Sequence, residues 1–270
     1  MLRRLWIASW ALAATAAALF GAPIERPDEA MRLYFLESNG ALYEERVAAR
    51  RGEMPTRPTF GESIPQDSAK IVYRLLEQDS VRAVFAVRVE LADEGIDIYT
   101  FVERQSEGWY IAALRALALT GIPQMVVDSV ADPSQLPIAQ RQIYENCKLV
   151  ISSDDQLKRY FLEHQGQIER LYQLLLQAKG GGRFRCEISL SPSDDDTAAM
   201  AEGDLLLCDL NLSTARLRDD GTAEISIGGM VDNEVGYLFV PDGEQPPRMN
   251  PSEYIYVERI VGGWYIYKTT

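Results

Sequence analysis

The stretch YTFVERQSEGWYI, Tyr99 to Ile111, is written a second time as YIYVERIVGGWYI, Tyr254 to Ile266, with eight of thirteen positions identical at an offset of 155. Within the first copy Tyr99, Phe101 and Glu103 fall on one side of an extended chain, and Thr100, Val102 and Arg104 on the other. Ser106-Glu107-Gly108 then reads as a turn, and Trp109 opens an apolar return strand. Each copy is therefore predicted to be a β-hairpin. Gly108 and Gly263 are expected to supply the positive φ of the turn. Trp109 and Trp264 are expected to cover a helix packed on the sheet.

A matching opening exists. YFLESNG (Tyr34–Gly40) and YFLEHQG (Tyr160–Gly166) agree at five of seven positions, offset by 126. Each half thus reads as an opening helix, a variable middle and a closing hairpin, with about 29 more residues in the second copy. SSDDQLKRYFLEHQGQIERLYQLLLQ predicts one long helix. Ser153 and Gln156 form a capping box, Asp154 and Asp155 suit the positive end of the helix dipole, and Leu157, Tyr160, Phe161, His164, Ile168, Leu171, Leu174 and Leu175 share one stripe. KGGGR at 179–183 ends it. The first-half counterpart is PDEAMRLYFLESNGALYEERV. A further helix is predicted over Asp67–Gln78, with Ile71, Val72, Leu75 and Leu76 on one side.

Strands are predicted at VRAVFAVRVELADEG, giving a three-stranded meander in the first half. In the second half they are predicted at RFRCEISL, DLLLCDLNL, TAEISIGG, VGYLFV and the final hairpin, with turns at RDDG (218–221) and PDG (241–243). Residues 138–150 fit either a helix or a strand. The expected fold class is α+β: two tandem domains, 24–131 and 138–270, joined by a linker at 132–137. Each would carry an opening helix or helices on an antiparallel curved sheet ending in a hairpin.

The net charge of −13 is not evenly spread. Between Cys186 and Glu253 there are 15 acidic residues against Arg216, Arg218 and Arg248, a balance of −12. Concentrated acidity favours a basic protein partner, because summed charge steers association. A merely solvated acidic face is the plainer alternative. Phosphate backbones need basic patches, so nucleic acid is excluded as a partner.

MLRR followed by the uncharged LWIASWALAATAAALF is a positive end before an apolar run. Residues 1–23 are read as a signal peptide or an N-terminal membrane anchor. Both place residues 24–270 outside the cytoplasm, in the periplasm or on the inner membrane. No Cys follows the run, which excludes a lipoprotein anchor. The remaining alternative is an N-terminal helix in a cytosolic core. An exported compartment permits disulfides, and Cys186 and Cys208 are expected to face each other across a hairpin. The alternative is three small buried hydrophobes, Cys147 included.

Opening helices on a curved antiparallel sheet, closed by a hairpin carrying ERQSEGWYI or ERIVGGWYI, resemble the NTF2-like and cystatin-like α+β rolls. The likeness covers about residues 27–120 and extends less fully over 153–270. The ending GYLFVPDGEQPP…YIYVERIVGGWYIYKTT also looks like that of small uncharacterised bacterial proteins. NTF2-like proteins include enzymes, binding domains, assembly factors and toxin-immunity proteins, so the resemblance implies a fold and no activity.

The single histidine, His164, is expected on a helix stripe rather than in a catalytic set. Neither CxxC nor HxxxH occurs, no phosphate loop or GxGxxG is present, and DDDT and RDDG lack the alternation of a calcium loop. No catalytic residue, metal or cofactor is assigned. Tyr99, Glu103, Trp109, Tyr254, Glu258 and Trp264 are the candidate binding residues. The aromatic members would line a pocket or form the core, and Glu103 and Glu258 would act as a base or stay solvated. The expected function is an exported non-enzymatic binding or interaction protein of toxin-neutralising or envelope-assembly type, contacting a basic partner through its acidic face and the loop PDGEQPPRMNPSE (241–253). The alternatives are a small-molecule-binding roll or roll enzyme using Glu103 or Glu258, and a purely structural envelope component.

Overall fold

A computed structural model of the chain describes residues 23–35, 50–51, 69–91, 94–106, 108–178, 183–186, 202–230 and 232–270. The architecture is α+β with two separate antiparallel sheets, one of four strands and one of six. The chain divides into two compact units, Met1–Leu114 and Arg115–Thr270. The stretch expected to be a linker, 132–137, lies inside the second unit. Residues 1–22, read above as a leader, lie outside the described residues. So does most of KGGGR.

In the first unit, helix α1 (Pro27–Phe35) starts with Pro at its first position, carries Asp28 and Glu29 in the first turn and has Arg32 in its last turn. This polarity suits the helix dipole. Four strands follow: β1 (Ala69–Gln78), β2 (Arg82–Leu91), β3 (Glu94–Gln105) and β4 (Gly108–Arg115), in spatial order β1-β2-β3-β4. Met31, Tyr34 and Phe35 of α1 pack with Phe85, Val87, Ile98, Val102, Trp109 and Ile111 in one buried cluster. The opposite face of this sheet is also buried, at Val84, Tyr99, Phe101 and Tyr110. Arg50 runs parallel beside Ile111.

β1 corrects the helix expected over Asp67–Gln78. Its burial alternates over the first residues in strand fashion, and it pairs with β2 along its length, Ala69 with Leu91 through Gln78 with Ala83. Ile71, Tyr73 and Leu75 satisfy a period of two as readily as Ile71, Val72, Leu75 and Leu76 satisfy a helix. The β-branched pair and the neighbouring strand decide between them. The meander accordingly has four strands, and α1 is the one helix of the first unit among the described residues.

The second unit opens with α2 (Gly121–Asp128), a 3-10 turn at Pro133–Gln135 and α3 (Ile138–Val150). Two helices, α4 (Asp154–Glu163) and α5 (Gln165–Gln177), stand where one was expected. The capping box forms in full: Ser153 Oγ accepts from Gln156 N–H at 3.3 Å and Gln156 Oε1 accepts from Ser153 N–H at 2.8 Å. The break is at His164, whose backbone (φ −113°, ψ 15°) leaves the helical region. Its N–H closes α4 on the Tyr160 and Phe161 carbonyls, and its own carbonyl starts α5. Its ring stacks on Tyr160, 4.1 Å between centroids.

The second sheet comprises β5 (Arg183–Arg185), β6 (Thr214–Leu217), β7 (Ala223–Met230), β8 (Asn233–Phe239), β9 (Tyr254–Val261) and β10 (Trp264–Thr269), in spatial order β5-β6-β7-β8-β10-β9. DLLLCDLNL (204–212) was expected to be a strand, but its first six residues belong to helix α6 (Glu202–Asp209). A run of three leucines between acidic residues is compatible with either structure, and leucine is a strong helix former. Cys208 therefore meets Cys186 from a helix to the end of β5, not across a hairpin, with the two sulfurs bonded and Cα atoms 5.1 Å apart. Leu157, Phe161, Ile168, Leu171 and Leu175 are fully buried on the helix side of this sheet. There Phe161 lies 5.2 Å from both Tyr237 and Trp264.

The turns hold a second correction. Gly108 takes φ +131°, as expected, but in the later hairpin Gly262 is the left-handed residue (φ +55°), not Gly263. The glycine preceding tryptophan answers a different need in both places. A Cβ on Gly108 would stand 2.7 Å from the Ile24 carbonyl oxygen, and one on Gly263 2.5 Å from that of Val240. Each glycine lets the start of its return strand press against another piece of backbone.

Two features of the second unit make testable contributions to its stability. Lys268 and Asp154 form an ion pair at 2.8 Å, with side chains only 4% and 7% exposed, tying β10 to the first turn of α4. Lys268→Met leaves a buried carboxylate without its cation, and we expect urea unfolding to show a loss of about 3–5 kcal/mol. The double variant D154L/K268M should recover most of that; an equally unstable double variant would show that the charge pair is not the cause. The disulfide spans 22 residues, for which loop-closure entropy gives about 3 kcal/mol. C186S/C208S should lose that amount, and reductant should destabilise the wild type but leave the double variant unchanged.

Candidate functional site

Within the first unit the predicted site residues divide between the two faces of the sheet. Trp109 is buried in the helix-side cluster with Ile98 and Val102. Tyr99 and Phe101, which alternate with those residues, are buried on the other face. Glu103 is exposed, opposite Arg82 on β2.

In the second unit Trp264 is the centre of the helix-side core, in contact with Phe161, Tyr172 and Phe239. Glu258 faces the same side. It pairs with Lys158 of α4 at 2.6 Å and accepts a hydrogen bond from Tyr256. Bulges between Trp264 and Tyr265 and between Lys268 and Thr269 shift the register of this hairpin, and a slip of one residue exchanges faces. Tyr254 consequently lies on the opposite face. The residues matched in sequence, Glu103 and Glu258, thus sit in unlike surroundings. Neither is among the residues lining the two cavities that follow.

The first cavity, of about 200 Å³, is bordered by Leu117, Leu119, Ile122, Cys147, Val150 and Met230. Cys147 carries a free thiol, and burial raises its pKa. This disfavours the reactive thiolate.

The second cavity, of about 180 Å³, is polar and lies on the face of the sheet away from α4 and α5. It is lined by Arg183 and Arg185 of β5, Thr214 and Arg216 of β6, Glu224 and Ser226 of β7, Glu234 of β8 and Tyr267 of β10. Strand pairing sets these residues in rows. Arg183 is directly opposite Arg216, which is opposite Glu224. Arg185 is opposite Thr214, which is opposite Ser226. Glu224 is buried and both its oxygens are used. One is bonded by Arg216 Nε, and the other by Arg218 and by the Tyr254 hydroxyl at 3.1 Å. Arg218 also donates to that hydroxyl at 3.0 Å. The hydrogen bond that Arg216 donates to Glu224 strengthens the hold of Arg216 on its proton.

This cleft was not legible in the sequence. Arg183 and Arg216 are 33 positions apart, and β6 was not predicted. Among the described residues, no group of three or more His, Cys, Asp and Glu side chains is placed to hold a metal ion, and no helix is long and apolar enough to cross a membrane. Comparison with known protein families, curated proteins and solved structures finds no match.

Buried tyrosine hydroxyls surround this sheet. Burial, with Glu145 adding, pushes Tyr160 up to about 12. Burial likewise raises Tyr237, and burial followed by the nearby carboxylates raises Tyr254 and Tyr267. An unfolded tyrosine ionises near pH 10. Above that pH the unfolded chain binds fewer protons than the folded one, so stability falls as pH rises. The tyrosine contribution should be constant up to about pH 10 and should decline from there through about pH 12. Unfolding midpoints across that range, with phenolate absorbance followed in parallel, check this; full ionisation at about pH 10 without unfolding would contradict it.

Proposed function

We propose that the chain is an exported, non-enzymatic binding protein whose second unit contacts a cationic protein, in a toxin-neutralising or envelope-assembly role. The observation that carries this reading is the pairing of two acidic turns. The turn after β6 holds Asp219 and Asp220 and closes on itself, with Arg218 N–H donating to the Thr222 carbonyl at 2.8 Å and Gly221 at φ +82°. The turn after β8 holds Asp242 and Glu244, with Gly243 at φ +94° and Glu244 N–H on the Pro241 carbonyl at 3.1 Å.

The two turns are neighbours: a Cβ on Gly221 would lie 3.3 Å from the Pro241 ring. All four carboxylates are exposed. Asp220 accepts from the Thr222 N–H, which lowers its pKa and keeps it ionised. Fixed turns present charge with little ordering cost on association. The fold likeness to NTF2-like rolls, with its many non-catalytic members, belongs to the same proposal, as does placement in the cell envelope.

The test uses the full chain, immobilised and exposed to an envelope extract, against D219N/D220N/D242N/E244Q. A basic protein retained at about 50 mM salt should be released at about 500 mM, because screening shortens the reach of exposed charges. It should bind the quadruple variant about tenfold or more weakly, each exposed pair contributing roughly 0.2–1 kcal/mol. Retention of the same proteins by both chains, insensitive to salt, would remove the proposal.

A further inference from the structure

The arginine cleft sits uneasily in a chain of net charge −13. Arg183 and Arg216 are cross-strand partners on one face, and like charges directly opposite in an antiparallel pair repel. Glu224 does not resolve this. Its two oxygens are taken by Arg216 Nε, Arg218 and Tyr254, and it holds Arg216 by the inner nitrogen. No hydrogen bond engages the terminal nitrogens of Arg216 among the described residues, and its side chain is 57% exposed. Arg183 is exposed beside it. Two guanidinium forks from neighbouring strands, above the hydroxyls of Thr214 and Ser226, are the donor set that recognises a planar carboxylate.

Beyond the hydroxyl row the character of the cleft reverses. Glu234 lies there, with the Tyr267 hydroxyl 3.5 Å from its carboxylate, and both belong to the lining. Tyr267 is buried, and its pKa is raised well above the ordinary value by that burial, with Glu234 and Glu224 adding. It is thus a neutral donor. A second negative charge on the ligand would be placed against Glu234, whereas an ammonium group would be paired with it. The volume, about 180 Å³, suits a molecule of a few heavy atoms.

We propose that this cleft binds a small amino acid in its zwitterionic form, its carboxylate held between Arg183 and Arg216 and its ammonium group at Glu234. The site is separate from the acidic turns, so the two proposals stand or fall independently.

The test is the thermal unfolding midpoint of the full chain at neutral pH with glycine, 4-aminobutyrate, acetate or inorganic phosphate, each at about 10 mM, where a ligand at a hundredfold excess over its Kd gives a readily measured stabilisation. Glycine or 4-aminobutyrate should raise Tm by several degrees, and acetate and phosphate should not. Arg183→Gln should abolish the shift without lowering the midpoint of the free protein, since Arg183 is exposed and faces a like charge. Glu234→Gln should remove the preference for the amine, so that acetate stabilises as well as glycine does. No shift with either amino acid, an equal or larger shift with acetate or phosphate in the wild type, or a shift that survives Arg183→Gln would each overturn the proposal.

Discussion

The structure depends on one steric constraint met twice: an indole must enter a closed core immediately after a glycine that touches foreign backbone. Gly108 rests on Ile24, whose carbonyl accepts from Trp109 N–H at 2.9 Å. Gly263 rests on Val240, whose N–H donates to the Gly263 carbonyl at 2.8 Å. These contacts fix where each return strand begins, and so fix the depth of the tryptophan behind it. Trp109 shares its cluster with Tyr34 and Phe35 of α1, and Trp264 lies against Phe161 of α4. The repeated phenylalanine of the opening helix and the tryptophan of the repeated GWYI are therefore the two sides of one packed joint. Interiors are close-packed, so a joint of this kind leaves little freedom to the elements around it.

Beyond the joint the units diverge. In the first, β3 is the inner strand of the closing hairpin and β4 follows it at the end of the four-stranded order. In the second, β10 lies between β8 and β9, so the return strand is internal and the outgoing strand is the edge. The register shifts of the β9–β10 pair then turn Glu258 toward α4, where Lys158 meets it. Glu103 has no comparable constraint and remains in water. Residues equivalent in a sequence alignment of the two halves are in this way given different tasks by pairing order and bulges, neither of which a residue-by-residue match contains.

The same distinction decides what could be read from the amino acids alone. The α+β class, the capping box at Ser153, β2, β3, β7, β8 and the closing hairpins carry local signals: alternation, turn glycines, a helix dipole satisfied by aspartates. Asp67–Gln78 and 204–209 carry signals that fit two structures equally, and long-range pairing or helix propensity resolves them. The break at His164 depends on a single backbone conformation inside an otherwise continuous stripe. The polar cleft was hidden more deeply. Three arginines and one buried glutamate come together only because β5, β6 and β7 pair in a particular register, joining residues that lie 33 and 8 positions apart.

That cleft also clarifies the charge distribution. The acidic half has few arginines, and two of them, Arg216 and Arg218, are paired with Glu224, whose side chain is buried in the sheet; a buried charge is costly unless it is paired. The carboxylates of the β6–β7 and β8–β9 turns, Asp219, Asp220, Asp242 and Glu244, stay exposed, and Arg218 acts on Asp220 as well as on Glu224. The fold separates charge by burying one glutamate at the point where the basic strands and the acidic turns meet, with Arg218 reaching from the turn to the buried carboxylate and Tyr254 bridging them.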